Sequence, residues 1–369
     1  MAASVNGRIG WRPAARDGLR RLVPLAALVG IVLAIVLLAG MGDIVLQRRV
    51  IFCLIHVVAV VGLYIFMGNS GVMNFSSAGF MAVGAYTSAL LTMAPGMKST
   101  FLPDLPAWLA AAHLSPLWGA LAGGVVAGLL ALVIGIPIMR LSGIGAAIAT
   151  LSLMFICYIV LGNWTALTGG QQSLMGLPSY VGLWTAGLTA MAAIAVAFVY
   201  QETRGALALR GSREDEVAAR GSGVRIVRER LVAFVVSGFV TGIAGVLYGH
   251  FLGTLRVESF YLDLTFLLVT MLVVGGMRSL AGAVIGAIGI SILTELLRLV
   301  EVGFVLPGTS WSIATPPGLG DVALAAAMLL IILFRPQGLT GGREIELPQS
   351  KTSTSGLATT SGNTGTANV

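Results

Sequence analysis

The sequence predicts an all-α, polytopic membrane protein of about ten transmembrane helices in two loosely related halves. Three observations predict it. Hydrophobic residues make up 57% of the 369 residues and charged residues only 10%, where a soluble domain carries roughly 25% charged. The stretches 50–97 and 141–201 contain no Asp, Glu, Lys or Arg. Apolar runs recur at bilayer length, since a hydrocarbon core of about 30 Å needs roughly 20 helical residues. A soluble fold lacks the polar surface to keep such stretches dry.

Residues 1–21 form a basic N-terminal segment, with Arg8, Arg12, Arg16, Arg20 and Arg21 against Asp17. The first span is read at 22–41. It exceeds the typical apolar core of about 7–15 residues in a signal peptide, and no small-x-small site follows it, so it is expected to stay as a span. Further spans are read at 50–67, 75–93, 117–139, 144–162, 181–200, 231–251, 262–277, 282–300 and 319–334. The run 75–93 is rich in small and polar residues, while 262–277 and 319–334 are short. The membrane domain therefore covers 22–342. The tail 343–369 is Ser, Thr and Gly with few apolar residues, which reads as disordered and cytoplasmic.

Positive charge sets the orientation. The segment 201–230 carries Arg204, Arg210, Arg213, Arg220, Arg225, Arg228 and Arg230. An even number of spans puts it, both termini and Arg140 on one side, expected to be the cytoplasm. Arg48 and Arg49 are the exception, since this topology places them outside. That pair marks where the start of the second span is least determined.

Glycines at four-residue spacing recur at Gly119/Gly123, Gly124/Gly128, Gly238/Gly242, Gly245/Gly249 and Gly282/Gly286. In lipid this spacing lets helix backbones approach closely. Cys53 and Cys157 lie in apolar runs and read as packing residues.

Several chemistries find no support. The two lysines, Lys98 and Lys351, sit in no P-loop. There is no nucleophile triad, zinc motif or carboxylate pair, so the chain is expected to be neither an enzyme nor a metal or cofactor binder. Nothing points to nucleic acid. Within spans, His56 and Glu295 are ionisable and costly to bury uncompensated. Glu295 is expected to pair with Arg298 on its own helix, and His56 to hydrogen-bond a backbone carbonyl. His250 is expected at an interface. The loop Thr168-Gly-Gly-Gln171-Gln172, with Glu258 and Asp263, is expected to be solvated outside.

The segment 201–230 is long for a helix connection, typically about 2–8 residues. Ser212-Arg-Glu-Asp215 has the form of a capping box, predicting a short helix that starts at Ser212. Glu214, Asp215 and Glu216 would lie in its first turn, where the dipole favours negative charge. Gly221 would take the left-handed position after its end. Val217-Ala218-Ala219 is small enough to seat in a partner's groove.

Two Gly/Ser breaks interrupt the apolar runs. The first is Gly68-Asn-Ser-Gly71-Val-Met-Asn74-Phe-Ser76-Ser77, the second Gly275-Gly276-Met-Arg278-Ser279-Leu-Ala-Gly282. Such a pair is the sequence pointer to a transport path, although two ordinary cytoplasmic turns fit equally. The path candidates are Asn69, Ser70, Asn74, Ser76 and Ser77, with Gly275, Gly276, Arg278 and Ser279.

These motifs resemble those of LivM-type permeases, the branched-chain amino acid branch of ATP-binding cassette (ABC) importers. The resemblance rests on five ordered segments: 68–87, Arg210-Gly-Ser-Arg-Glu-Asp-Glu-Val-Ala-Ala219 with Gly223, 233–248, 275–282, and Phe334-Arg-Pro-Gln-Gly-Leu339. It covers roughly residues 50–340. It implies a permease subunit of the bacterial inner membrane that carries branched-chain or related amino acids. It implies a homologous LivH-type permease beside it, two ABC ATPase subunits that bind the ATP, and a periplasmic substrate-binding protein. Ser212, Arg213, Glu214, Asp215, Glu216, Ala218, Ala219 and Gly221 would be the ATPase-coupling residues. The chain departs from the family pattern at Arg278, where a glycine is usual, and in Gly68-Asn-Ser-Gly71. Relatives in the family carry urea or short amides. An ion-coupled secondary transporter is the alternative class.

Overall fold

The structure, a computed structural model, describes residues 14–301 and scattered positions beyond, of which 338–341 is the longest run. The helices are α1 Ala14–Gly40, α2 Ile44–Ser70, α3 Ser77–Thr92, α4 Pro95–Phe101, α5 Ala107–Ala110, α6 Pro116–Ile138 and α7 Gly143–Asn163. They continue as α8 Thr165–Thr168, α9 Leu183–Gln201, α10 Arg204–Glu214, α11 Glu216–Gly221, α12 Ile226–Leu252, α13 Leu262–Gly275 and α14 Leu280–Glu301. Two short strands, β1 Leu174–Met175 and β2 Thr254–Leu255, pair antiparallel. The protein is thus a polytopic, all-α membrane protein.

Among the described residues, eight helices are long and apolar enough to cross a membrane. The span read at 75–93 is α3, with only 16 helical residues. It still joins both ends of the bundle. Just before it, the Phe75 amide donates to Thr150 Oγ1 near the start of α7 at 3.2 Å, while Ser88 in its second half meets His250 near the end of α12. Most of the span expected at 319–334 lies outside the described residues, as do the tail 343–369 and the start of the N-terminal segment.

The second span starts at Ile44, six residues before its expected start at 50, so Arg48 and Arg49 are helical. Arg49 Nε lies 3.0 Å from Glu295 Oε1 near the end of α14. This corrects the expected Glu295–Arg298 pair. Across the bundle a cation and an anion meet, which offsets the charge that the topology leaves on that side.

The helix α2 is the hub, with every residue from 54 to 70 buried. It packs on α9, α12 and α14. Glycines set the closest approaches. A Cβ on Gly84 of α3 would collide with the Gly242 backbone of α12, and one on Gly245 with the Met81 carbonyl. On α6, a Cβ at Gly123 would lie 2.6 Å from the Gly84 oxygen. Lipid tails are as apolar as these side chains, so close backbone packing, and not water exclusion, holds such helices together.

Contacts sort the helix ends into two groups. At one end lie the C-termini of α2, α6, α9 and α13 together with residues 202–225. At the other, the start of α6 meets the end of α3 through Leu114 N and Leu91 O at 2.8 Å. His250 there is buried, not interfacial. Its Nδ1 faces the Pro178 oxygen at 3.0 Å and its Nε2 the Ser88 hydroxyl at 2.9 Å. The loop before α9 is not simply solvated either. Thr168, Leu174 and Leu177 are buried, and Thr168 Oγ1 donates to Trp164 O at 2.8 Å. Lys98, in α4 of this same end, is also buried. Its ammonium donates to the carbonyls of Leu109 and Ala112, and burial pushes its pKa below the usual lysine range.

Candidate functional site

The arginine-rich end brings together three of the polar segments singled out above. The first is the connection from α9 to α12. Thr203 caps α10 by accepting from the Ala206 amide at 3.2 Å. Arg210 then turns back to the Gln201 carbonyl, and Gln201 Oε1 accepts from the Tyr64 hydroxyl of α2 at 3.1 Å.

The short helix in this connection starts three residues later than the capping-box reading placed it. Ser212 lies inside α10 and is buried, its hydroxyl donating to Leu209 O at 2.7 Å. Asp215 is the N-cap of α11, and its Oδ1 accepts from the amides of Val217 and Ala218 at 2.9 and 3.0 Å. A carboxylate at this position satisfies amides with no partner in the helix and sits favourably at the positive end of the dipole. The end differs too. Gly223, not Gly221, takes the left-handed conformation at φ 82°. The Val224 amide reaches Ala219 O and the Gly223 amide Arg220 O, the paired bonds of a Schellman turn.

The helix α11 has no buried residue. Val217 is 81% exposed, and Ala218 is exposed beside it. Its polar face is tied down. Glu216 bridges Arg220 at 2.6 Å and Arg230 of α12 at 3.4 Å. Arg230 is buried, so Glu216 supplies the carboxylate that a buried guanidinium needs.

The second segment is the break after α2. Gly71 closes α2 in the left-handed conformation at φ 71°, and a Cβ there would lie 2.5 Å from Arg213 Cγ, so both backbone and space call for glycine. Arg213 Nη1 donates to the Gly68 carbonyl at 2.6 Å. Residues 71–76 are not helical. Asn69, Ser70, Asn74, Ser76 and Ser77 are all buried. Asn74 Oδ1 accepts from the amide and hydroxyl of Ser76 at 2.9 and 2.7 Å. The Ser70 hydroxyl donates to Phe66 O. Among the described residues, Asn69 Oδ1, Asn74 Nδ2 and Ser77 Oγ have no hydrogen-bond partner.

The third segment is the break after α13. Gly275 and Gly286 approach so closely that a Cβ on either would strike the other's backbone. Ser279 is buried and its Oγ accepts from the Gly282 amide at 3.2 Å. Arg278 is largely exposed and lies 3.8 Å from Glu214, which also pairs with Arg213 at 3.2 Å. The Leu339 amide bonds to Val274 O at 2.8 Å and the Thr340 amide to Gly275 O at 3.2 Å. The two breaks themselves touch, since a Cβ on Gly68 would lie 2.9 Å from the Met277 oxygen.

Arg213 and Glu214 thus stand between α11 and both breaks. Residues 68–71, 213–216, 275–279 and 338–340, far apart in sequence, form one assembly. Sequence reasoning missed Arg230, whose charge looked like one more flank of the span. His56 lies elsewhere, inside α2. It is buried, and among the described residues neither ring nitrogen has a partner, against the expected carbonyl bond; it packs edge-on to Phe52 at 4.5 Å.

Comparison with known proteins follows the same segments. The family model described as branched-chain amino acid transport system / permease component matches residues 46–333. The high-affinity branched-chain amino acid transport system permease protein LivM of Escherichia coli K12 is 28% identical over 320 residues, covering 78% of this chain and 68% of LivM. LivH of Salmonella typhimurium is 24% identical, covering 78% of this chain and 91% of its own. A probable LivH of Methanocaldococcus jannaschii is 23% identical, covering 83% and 95%. No solved structure matches the chain.

Proposed function

The chain belongs to the family of branched-chain amino acid transport permease components, and from that premise we propose that it is the LivM-like permease subunit of an ABC importer. Two ATPase subunits bind the ATP and dock on α11. A LivH-like permease completes the path, and a periplasmic binding protein delivers a branched-chain or related amino acid. The chain itself binds no cofactor and catalyses no reaction. It sits in the inner membrane with the arginine-rich end and both termini in the cytoplasm, as the excess of arginine there favours.

One observation carries this reading. The helix α11 projects Val217 and Ala218 outward while Asp215 caps it and Glu216 ties it to Arg230 of α12. An exposed helix linked through Arg213 and Glu214 to both breaks can pass a push from a partner to the path. The buried polar atoms of Asn69, Asn74 and Ser77 are available to line that path. The ion-coupled alternative needs an uncommitted membrane carboxylate, and Glu295 is paired with Arg49.

The test is recovery of partners with tagged full-length chain from its native membrane. Wild type should bring two P-loop ATPases and a second permease. Val217→Asp and Ala218→Trp should lose the ATPases and keep the second permease. Recovery of the ATPases with both variants would remove α11 as the docking element. Recovery of wild-type chain alone, beside a control importer that stays intact, would overturn the importer reading.

A further inference from the structure

A groove of about 600 Å³ lies at the arginine-rich end, between the end of α6 and the start of α12. Arg140, Arg220, Arg225 and Arg228 line it, with Ile136 and Val227 among its apolar walls. Among the described residues, no carboxylate lines it. The nearby acids are engaged elsewhere. Glu216 holds Arg220 and Arg230. Glu229 lines the neighbouring crevice, where its carboxylate sits against Gly205 of α10. Among the described residues, Arg140, Arg225 and Arg228 have no ion pair and no side-chain hydrogen bond, while every described ion pair at this end is made by other arginines.

The approach to the groove is apolar. Leu129, Val133 and Ile136 are 53%, 66% and 47% exposed. They fall at i, i+4 and i+7, one face of α6, and Arg140 follows in the turn two residues past its end. This exposed apolar face runs along a candidate span toward the guanidinium groups. A cytoplasmic protein would meet the arginines but not a track at membrane depth. A phospholipid meets both, with acyl chains along α6 and a phosphate among guanidiniums that suit it geometrically.

We propose that this groove binds an anionic phospholipid, its phosphate held by Arg140, Arg225 and Arg228. Arg220 links the site to α11, because a phosphate there competes with Glu216 for its guanidinium. The binding claim stands independently of the importer reading.

Native mass spectrometry of the purified full chain, titrated with phosphatidylglycerol or phosphatidylcholine, tests it. Wild type should retain phosphatidylglycerol in preference to phosphatidylcholine. The variant Arg140→Gln/Arg225→Gln/Arg228→Gln should bind it at least roughly tenfold more weakly. These side chains are exposed, so thermal unfolding should be unchanged. The single Arg140→Gln variant, in the turn after α6 and away from Arg225 and Arg228 at the start of α12, should weaken binding in the same direction. Millimolar inorganic phosphate should not displace the lipid, and displacement would show a free-phosphate site instead. Equal retention of both lipids, or equal retention by wild type and triple variant, would overturn the proposal. So would loss of co-purified ATPases from the triple variant with lipid retention unchanged, which would assign the groove to a protein partner.

Discussion

Arg213 donates from Nη1 to the carbonyl oxygen of Gly68 at 2.6 Å, across 145 residues of sequence. The carbonyl belongs to the last turn of α2, where the helix dipole favours a cation. The same guanidinium holds Glu214, which reaches Arg278. A single side chain at the end of α10, just before α11, therefore ties this connection to the buried hub of the bundle.

Removing that link should uncouple the two. Arg213→Ala loses a charge-assisted hydrogen bond worth about 1.5–3 kcal/mol. Uptake should fall at least roughly tenfold, the equivalent of about 1.4 kcal/mol, while the ATPases still co-purify. Arg213→Lys should restore only part, since it lacks the guanidinium fork that spans Gly68 and Glu214. Normal uptake by Arg213→Ala would show that the contact carries no coupling.

The cap of α11 separates two readings of the same segment. Asp215→Ala removes the acceptor for two amides and should cost about 1 kcal/mol of helix stability. Hydrogen exchange of residues 216–220 should quicken, and ATPase recovery should drop. Asp215→Ser should retain most of both. Ser212→Ala removes only a hydroxyl bonded within α10 and should leave α11 exchange unchanged. A larger effect at Ser212 than at Asp215 would contradict the observed helix start.

Two glycine substitutions should act with opposite sign. Gly245→Ala drives a methyl group into the Met81 carbonyl of α3. Such overpacking costs about 1–3 kcal/mol, so the melting temperature in detergent should fall. Gly289→Ala in α14 meets nothing within 4 Å and should be neutral or stabilising by about 0.5–1 kcal/mol. Equal melting temperatures would mean that α3 and α12 are not held at backbone distance.

The Arg49–Glu295 pair should contribute little to stability. Its side chains are 38% and 28% exposed, and partly solvated pairs are worth about 0–1 kcal/mol. Glu295→Gln should therefore lower thermal stability slightly, and Arg49→Glu/Glu295→Arg should restore it. A coupling of several kcal/mol in the double-mutant cycle would show the pair to be far drier than its exposure indicates.

Much of this protein was legible from composition and spacing. Bilayer thickness sets the length of an apolar run, so the spans announced themselves, and four-residue glycine spacing marked α6, α12 and α14 as close-packing helices. The two Gly/Ser breaks and the short helix between α9 and α12 were visible because glycine, serine and aspartate act locally on the backbone. Their exact ends were not. Asp215 and Ser212 are both competent caps, and the choice depends on how far α10 continues before its contacts with α9 and α12 run out. Partners across the bundle were wholly a matter of tertiary structure. Nothing in the local sequence of Glu295 favours Arg49 over Arg298, and nothing near Arg213 points to Gly68. Those pairings follow from which helices lie adjacent, which is set by glycine-scale fits between backbones that only the folded chain brings together.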